Sequence, residues 1–357
     1  MRGDPQWQPK VDAIDQMTPS QTGADPRGAA RAQFIDAMKG IGIFFVVLGH
    51  TLDGTMKAGL FKPAGLAEAV FYLLYLFHMP LFFVLSALYV QDRINSQPKR
   101  FLHSLWQRIA WPFLVWTMLQ MLAVQAAGAL VNSPGVIDGA ALWRILWAPP
   151  GQYWFLHCLF IFHLLAFISI RLKCVMGLLP LAAAAMLAQS ISGDPWPVIG
   201  RYIPFLVFYA FGVVLTGRHM IDWSQRFDRI LGHQAITASL LLLFLAAYIT
   251  LHQIGAGYYS PAALGAQTLG VAAMLALVKA CHLKAQNILA WLGRRSMPIF
   301  LLHVMVGAGV RITLHKSFDI SNGLLILAIA TVAGLLVPCI IFFATQHLKL
   351  SKILALG

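Results

Sequence analysis

Ten apolar segments of membrane-spanning length recur along the chain, and they constrain its fold more than any other feature. They cover residues 36–56, 66–90, 104–130, 153–170, 174–191, 198–216, 233–251, 260–279, 297–315 and 322–346. A helix of about 20 apolar residues crosses the hydrocarbon core of a bilayer. Hydrophobic residues make up 59% of the chain and charged residues only 11%, a balance typical of polytopic membrane proteins. The sequence therefore predicts an all-α membrane helix bundle with about ten transmembrane helices.

The net charge of +13 is distributed unevenly over the segments that connect these helices. With the N-terminus inside and ten spans, most Lys and Arg residues of the connections fall on the inner side, which agrees with the positive-inside rule. We therefore predict that both termini are cytoplasmic and that the chain is a multi-pass protein of the cell (inner) membrane. A basic soluble protein would suggest a nucleic acid partner. Here the lipid bilayer explains the charge, and we expect no nucleic acid partner.

Three regions follow from the same pattern. Residues 1–33 are polar and rich in Gly, Ala, Pro and Asp, which predicts a disordered cytosolic tail. They lack the apolar middle of a signal peptide, so we expect the first span to be an uncleaved anchor. Residues 34–348 form the predicted transmembrane domain, and residues 349–357 a short cytosolic tail. The four cysteines have no metal-ligand spacing, so the sequence predicts neither a disulfide framework nor a metal site.

The first span carries ionisable residues that lipid does not tolerate. Lys39 and His50 are eleven residues apart, which returns a helix to within about 20° of one face and separates them by roughly 16 Å along its axis. Asp36 precedes Lys39 by one turn on nearly the same face. With Lys39 at the membrane surface, His50 lies near the middle of the bilayer. Such groups indicate a functional site. The alternative interpretation is that they only hydrogen-bond to neighbouring helices and hold the bundle together.

Histidines also lie inside other predicted spans, among them His78 and His303. His78 stands at the centre of the second span, in LFHMPLFFVLS, where we expect Pro80 to kink the helix. His303 lies about two turns into the ninth span. A lone intramembrane histidine is often a hydrogen-bonded packing residue, so for His78 packing and support of a site both remain open.

Three arginines lie at the predicted inner ends of spans. Arg108 falls inside the apolar run of the third span, just before Pro112, and we expect it to point into the bundle. Arg294 and Arg295 open the ninth span. Two adjacent arginines at a helix start normally set topology, but they also suit the phosphates of a cytosolic ligand.

Six motifs occur in a fixed order along these spans. The first is DAMKGIGIFFVVLGH (36–50), in which a basic residue is followed by ten residues and then a histidine. The others are FHMPLFFVLS (77–86), RIAWPFLVW (108–116), QYWFLHCLF (152–160), IPFLVFYAFG (203–212) and LGRRSMPIFLLH (292–303). Together they resemble the integral-membrane acyltransferase-3 family, especially its branch of fucose 4-O-acetylases and exopolysaccharide O-acetyltransferases. The resemblance covers most of residues 34–346.

This resemblance implies an enzyme that moves an acyl group, usually acetyl, from a cytosolic donor to a hydroxyl of a cell-surface glycan or its lipid-linked precursor. It implies acetyl-CoA as a co-substrate, with no bound cofactor, and a carbohydrate or lipid-linked glycan as the acceptor. By the same resemblance His50 is the catalytic histidine and Lys39 its essential basic partner. Arg108 matches one arginine of the family's third-span pair, whereas Leu105 stands where many members carry a second basic residue.

The residue types suit this chemistry. A neutral imidazole can take the proton of a hydroxyl that attacks a thioester, or can itself accept the acyl group and pass it on. Asp36 would hold Lys39 in place, and His78 and His303 would support the site. Coenzyme A carries several phosphate charges, and the candidate residues for binding this acyl donor are Lys39, Arg108, Arg294 and Arg295.

Two other functions remain open. A secondary transporter or glycan exporter also needs intramembrane charge, although the two halves of the chain show no matched pair of broken helices. An acyltransferase with a non-carbohydrate acceptor, such as a peptide, lipid or small amine, is compatible with the same residues.

Overall fold

The computed structural model describes residues 26–61, 65–132, 137–192, 200–216 and 233–351, together with residues 353, 354 and 356. Over these ranges the chain forms fifteen α-helices and no strand, which confirms the predicted all-α class. In chain order they are α1 (Pro26–Lys57), α2 (Gly65–Tyr75), α3 (His78–Ala87), α4 (Val90–Ser96), α5 (Pro98–Leu105), α6 (Trp111–Ala127), α7 (Gly139–Arg144), α8 (Trp154–Arg171), α9 (Leu178–Ser192), α10 (Ile203–Thr216), α11 (Gln234–Gln253), α12 (Ala263–Ala280), α13 (Leu283–Arg294), α14 (Ser296–Ile312) and α15 (Gly323–His347).

Eight helical stretches in the described ranges are long and apolar enough to cross a membrane. Two of them are composite, because Gly65–Ser96 contains α2 to α4 and Pro98–Leu130 contains α5 and α6. The shorter apolar helices α9 and α10 occupy the other two predicted segments, 174–191 and 198–216. The polytopic helix bundle predicted from the apolar segments is therefore confirmed.

α1 and α15 lie side by side and run in opposite directions. Gly323, at the start of α15, packs against the carbonyl group of Leu60 just beyond the end of α1, whereas Gly334 meets Val47 in the middle of α1. The start of α1 and the end of α15 therefore lie at the same end of the bundle. We call it the inner end, because the charge distribution predicts that it faces the cytoplasm, and we call the opposite end the outer end.

The first helix is the element around which the others pack. α1 contacts α2, α3, α12, α13, α14 and α15. Its tightest contact is with α13, because a methyl group at Gly40 would overlap the carbonyl oxygen of Leu289 and one at Gly293 would overlap that of Asp36. Small residues of this kind allow two helix backbones to touch. The contact lies beside Lys39 and fixes the inner end of α1.

α1 begins at Pro26, so residues 26–33 are helical and do not belong to the disordered tail predicted for residues 1–33. Proline is well tolerated in the first turn of a helix, and the Ala and Arg residues that follow are strong helix formers. Contacts with the bundle extend the helix further. The Gln33 amide donates to the Asn287 side chain, and the Arg31 guanidinium lies 5.2 Å from the centre of the Tyr89 ring. The rest of the predicted tail lies outside the described residues.

The C-terminal residues pack against α6. The indole Nε1 of Trp116 donates to the carbonyl oxygen of Leu354 at 2.7 Å, and Leu356 is only 2% exposed. The described end of the tail predicted for residues 349–357 is therefore folded onto the bundle, because Leu354 and Leu356 bury apolar surface there.

The second span is broken close to the predicted kink. α2 ends at Tyr75 and α3 begins at His78. Pro80 has no backbone N–H, and its ring displaces the carbonyl group four residues earlier, at Leu76, from the helical hydrogen-bond ladder. The break places Tyr75 and His78 at the junction of two short helices inside the bundle.

A tag at either terminus is expected to be protected from a membrane-impermeant label in intact cells, because ten crossings return the chain to its starting side. Labelling after permeabilisation shows that each tag is reactive. Ser317→Cys is the positive control in intact cells, since Ser317 is exposed at the outer end beyond α14. Labelling of either terminal tag without permeabilisation would contradict the predicted topology.

Candidate active site

His50 lies on α1 inside the bundle and faces α14 and the junction of α2 with α3. Its ring centre is 5.1 Å from that of His303 and 6.5 Å from that of Tyr75. The side chain is partly exposed, and neither ring nitrogen forms a hydrogen bond within the described part of the chain. An imidazole with a free lone pair can accept a proton or an acyl group. His50 is therefore available for chemistry.

Two more imidazoles near His50 share one pattern of hydrogen bonding. Nδ1 of His78 lies 2.6 Å from the carbonyl oxygen of Leu74, and Nδ1 of His303 lies 2.8 Å from that of Phe300. Because a carbonyl oxygen only accepts, each Nδ1 carries a proton, and each Nε2 of the neutral ring is an acceptor. Both Nε2 atoms are buried and have no partner among the described residues. A substrate hydroxyl or an ordered water would satisfy them.

Tyr75 belongs to the same group of side chains, although none of the sequence motifs above includes it. Its ring centre is 4.7 Å from that of His78 and 5.3 Å from that of Tyr258. Tyr75 precedes His78 by three residues, a spacing that makes side chains neighbours along a helical chain. That spacing is the signal that could have identified it.

A cavity of about 160 Å³ lies toward the inner end, between α1, α3, the π-helical turn before α6, α8 and α14. Lys39 and Arg108 are the cations in its wall. Lys39 is paired with Asp36 at 3.3 Å, which orients the ammonium group where both side chains are partly exposed. Most of the remaining wall is apolar and includes Val46, Phe82, Phe155, Leu156, Met297 and Phe300. The cavity therefore combines a cationic mouth with an apolar interior.

The cavity stops one helical turn short of His50. Its wall includes Val46 on α1 and Phe300 on α14, which lie one turn before His50 and His303, and neither histidine lines it. The Phe300 ring centre is 6.1 Å from that of His303. The ring of Phe300 therefore borders the cavity on one side and His303 on the other.

Arg108 lies in a π-helical turn, Trp106–Ala110, between α5 and α6. Such turns are frequent at functional sites. The Arg108 side chain borders the cavity but is exposed, so it lies at the mouth and not inside the bundle as the sequence predicts. Leu105 is 3% exposed and belongs to the apolar core, so no second cation takes that place.

The two arginines at the start of the ninth span do not line the cavity. Arg294 is exposed at the end of α13. The Arg295 guanidinium lies 4.2 Å from the centre of the Trp291 ring and 4.9 Å from that of Phe343, and its Nη1 donates to the Trp291 carbonyl at 3.0 Å. These contacts, which α13 and α15 provide, hold the Arg295 side chain outside the cavity wall, and the role of Arg294 and Arg295 in donor binding stays a prediction.

The histidines do not converge as metal ligands would. Within the described ranges, no group of three or more His, Cys, Asp or Glu side chains is placed to hold a metal ion. The cationic groups at the cavity, Lys39 and Arg108, are instead suited to the phosphates of an organic ligand.

Comparison with protein families places this arrangement in a class of enzymes. The acyltransferase-3 family model, described as an acyltransferase domain, matches residues 32–343. The chain belongs to the acyltransferase-3 family. The match includes all the helices that form the cavity and carry the three histidines, so the protein is a multi-pass membrane acyltransferase. No curated protein and no solved structure matches the chain.

Proposed function

We propose that this acyltransferase-3 protein is an O-acyltransferase of the cell (inner) membrane. It transfers an acyl group, most simply acetyl, from cytosolic acyl-CoA to a hydroxyl of a cell-surface or lipid-linked carbohydrate. The observation that carries this proposal is the position of His50. Its imidazole has no hydrogen-bond partner in the described ranges and lies inside the bundle, one turn beyond the cationic cavity. The resemblance to fucose 4-O-acetylases and exopolysaccharide O-acetyltransferases favours acetyl as the acyl group and carbohydrate as the acceptor.

The donor enters from the inner end. Lys39 and Arg108 bind phosphate groups of coenzyme A at the mouth of the cavity, and the apolar wall accepts the pantetheine arm. The roughly 16 Å between Lys39 and His50 along α1 is of the order of that arm's length. The thioester then has to pass Phe300 to reach His50, so we expect this ring to change rotamer when the donor binds.

The acceptor hydroxyl supplies the nucleophile. His50 takes the hydroxyl proton while the oxygen attacks the thioester carbonyl carbon. The carbon–sulfur bond breaks, and the coenzyme A thiolate leaves and takes the proton from His50. In the second route the His50 nitrogen attacks the thioester carbonyl carbon, the carbon–sulfur bond breaks, and the coenzyme A thiolate leaves and takes the proton of the acyl-imidazolium. The acceptor hydroxyl then attacks the acyl-imidazole, the carbon–nitrogen bond breaks, and the hydroxyl proton passes to the freed imidazole nitrogen. Both routes require a ring nitrogen that is free, as those of His50 are within the described residues.

Mass spectrometry of surface glycans tests the proposal. We expect the glycan of a deletion strain to lose one acyl group per repeat, and the wild-type gene to restore it. An intact acylation pattern in the deletion strain would contradict a carbohydrate acceptor. Restoration of the pattern by a His50→Ala gene would contradict the assigned mechanism.

Lys39→Ala is expected to raise the KM for acetyl-CoA by about ten- to a hundred-fold, because one or two charge-assisted hydrogen bonds to phosphate are lost. Lys39→Arg should keep most of the affinity, since it keeps the charge. Steady-state kinetics at saturating acceptor measures the effect. Lys284→Ala is the matched control, because Lys284 is an exposed cation on α13 that does not line the cavity. Equal effects of Lys39→Ala and Lys284→Ala would argue against a donor contact at Lys39.

A further inference from the structure

Arg311 is a buried cation at the outer end of α14 that the reaction described above does not use. The residue is 6% exposed. Its guanidinium forms no ion pair and no hydrogen bond with any described residue. It therefore does not cap the carbonyl groups of its own helix end, and its burial excludes a side chain that reaches out to lipid headgroups. The side chain as a whole is largely buried, and a largely buried guanidinium with no described partner is well placed to bind an anionic group that enters beside it.

Arg311 lies on the outer side of His50. Its Nε is 3.8 Å from the position that a Cβ would take at Gly54. Gly54 is four residues beyond His50 and therefore on the same face of α1. One turn earlier on α14, Gly307 packs against Thr51, so α1 and α14 stay in contact between the imidazole and the guanidinium. Arg311 thus reaches α1 about one turn, or ~6 Å along the axis, outward of His50.

The acidic residue next to this point does not neutralise Arg311. The Asp53 Oδ2 atom is paired with the Lys57 ammonium at 2.7 Å. No described carboxylate is paired with Arg311. The positive charge beside His50 therefore stays available for a ligand that enters from the outer end.

We propose that Arg311 binds an oxyanion of the acceptor, a carboxylate or a phosphate, and so selects acidic or phosphate-bearing carbohydrates. This inference rests on the proposed function. The planar fork of a guanidinium matches two oxygens of either group. An oxyanion held there leaves a hydroxyl of the same or the next sugar close to the His50 imidazole. The oxyanion has two possible sources, which are the uronate of an acidic sugar and the diphosphate of a lipid-linked glycan.

Binding of four probes to the purified full-length protein in nanodiscs tests this inference. The first pair is a glucuronate-containing oligosaccharide and its carboxyl-reduced counterpart. The second pair is a polyprenyl diphosphate-linked neutral disaccharide and the same disaccharide linked to a polyprenol without phosphate. We expect the wild type to bind the charged member of one pair at least about ten-fold more tightly than its neutral counterpart, and that pair identifies the source of the oxyanion.

Arg311→Gln should remove this preference, and Arg311→Lys should keep part of it, because lysine retains the charge but not the fork. Arg311→Lys also keeps the test valid if Arg311→Gln does not fold. Lys316→Gln, at an exposed cation just beyond α14, should bind as the wild type does. Each variant should bind acetyl-CoA normally, because the donor enters from the other end.

Two results would overturn the inference. The first is a wild type that binds charged and neutral members of both pairs equally well. The second is an undiminished charge preference in folded Arg311→Gln or Arg311→Lys. Failure of all four probes to bind, with acetyl-CoA binding intact, would overturn the carbohydrate acceptor itself and the inference with it. A preference that depends on Arg311 but is not followed by acylation would contradict the proposed function and leave the oxyanion site established.

Discussion

His50→Ala is expected to lower the rate of acyl transfer by at least about a thousand-fold while the protein still inserts and folds. A general base alone contributes about 10²–10⁴-fold, and loss of an acyl carrier removes the route entirely. Folding should survive, because the His50 ring nitrogens bond no described residue and leave no buried partner unsatisfied when removed. The measurement is the initial rate of label transfer from acetyl-CoA to the acceptor in reconstituted vesicles.

His163→Ala is the matched control for His50→Ala. His163 is also an intramembrane histidine, but it is buried, its Nδ1 donates to the Leu159 carbonyl at 2.9 Å and its ring stacks on Phe101. We expect this variant to lose stability and to retain the turnover of the folded fraction. A His50→Ala enzyme with the same turnover as His163→Ala would remove His50 from the mechanism.

A labelling experiment with the wild-type and His50→Ala proteins distinguishes the general-base route from the acyl-imidazole route. Incubation with labelled acetyl-CoA and no acceptor should leave label on the protein only if His50 carries the acyl group. If folded His50→Ala protein still becomes labelled, a residue other than His50 carries the acyl group.

Gly293→Ala is expected to produce the second large effect, a destabilisation of about 3 kcal/mol or more. The added methyl group would overlap the carbonyl oxygen of Asp36, and neither helix backbone can move away without disturbing the other contacts of α1. The displaced segment carries Lys39, so donor binding should weaken as well. The thermal unfolding midpoint and the yield of monodisperse protein measure the loss.

Gly309→Ala is the control for this contact. A methyl group at Gly309 meets nothing within 4 Å, and in a helix Ala is favoured over Gly by roughly 0.5–1 kcal/mol. We therefore expect Gly309→Ala to be neutral or slightly stabilising. Equal unfolding midpoints for the two alanine variants would show that α1 and α13 do not touch as described.

Much of the fold can be predicted from the apolar segments and the charge distribution of the sequence. The ten segments and the kink near Pro80 are readable because they depend on local composition and on the chemistry of proline. The position at which α1 begins cannot be predicted from local composition. Residues 26–33 are polar, and their helix is extended by contacts of Arg31 and Gln33 with distant residues.

The arrangement of the site is only partly encoded in local spacing. The sequence predicts that Lys39 and His50 share one helix face because both lie on α1. In the structure Lys39 lines the cavity, and His50 lies beside His303 and Tyr75. The direction of Arg295 depends on Trp291 and Phe343, and the latter lies on a different helix, so no local pattern reveals it. The approach of His303 to His50 likewise depends on how α14 packs against α1.

A vesicle assay with donor and acceptor on opposite sides of the membrane decides whether His50 connects the two compartments. Protein is reconstituted in sealed vesicles, acetyl-CoA is supplied at the face that carries the termini, and the acceptor is enclosed with the opposite face. We predict that wild-type protein acylates the enclosed acceptor, and that His50→Ala does not. Acylation that occurs only when donor and acceptor share one face would contradict a site that joins an inner donor cavity to an outer acceptor.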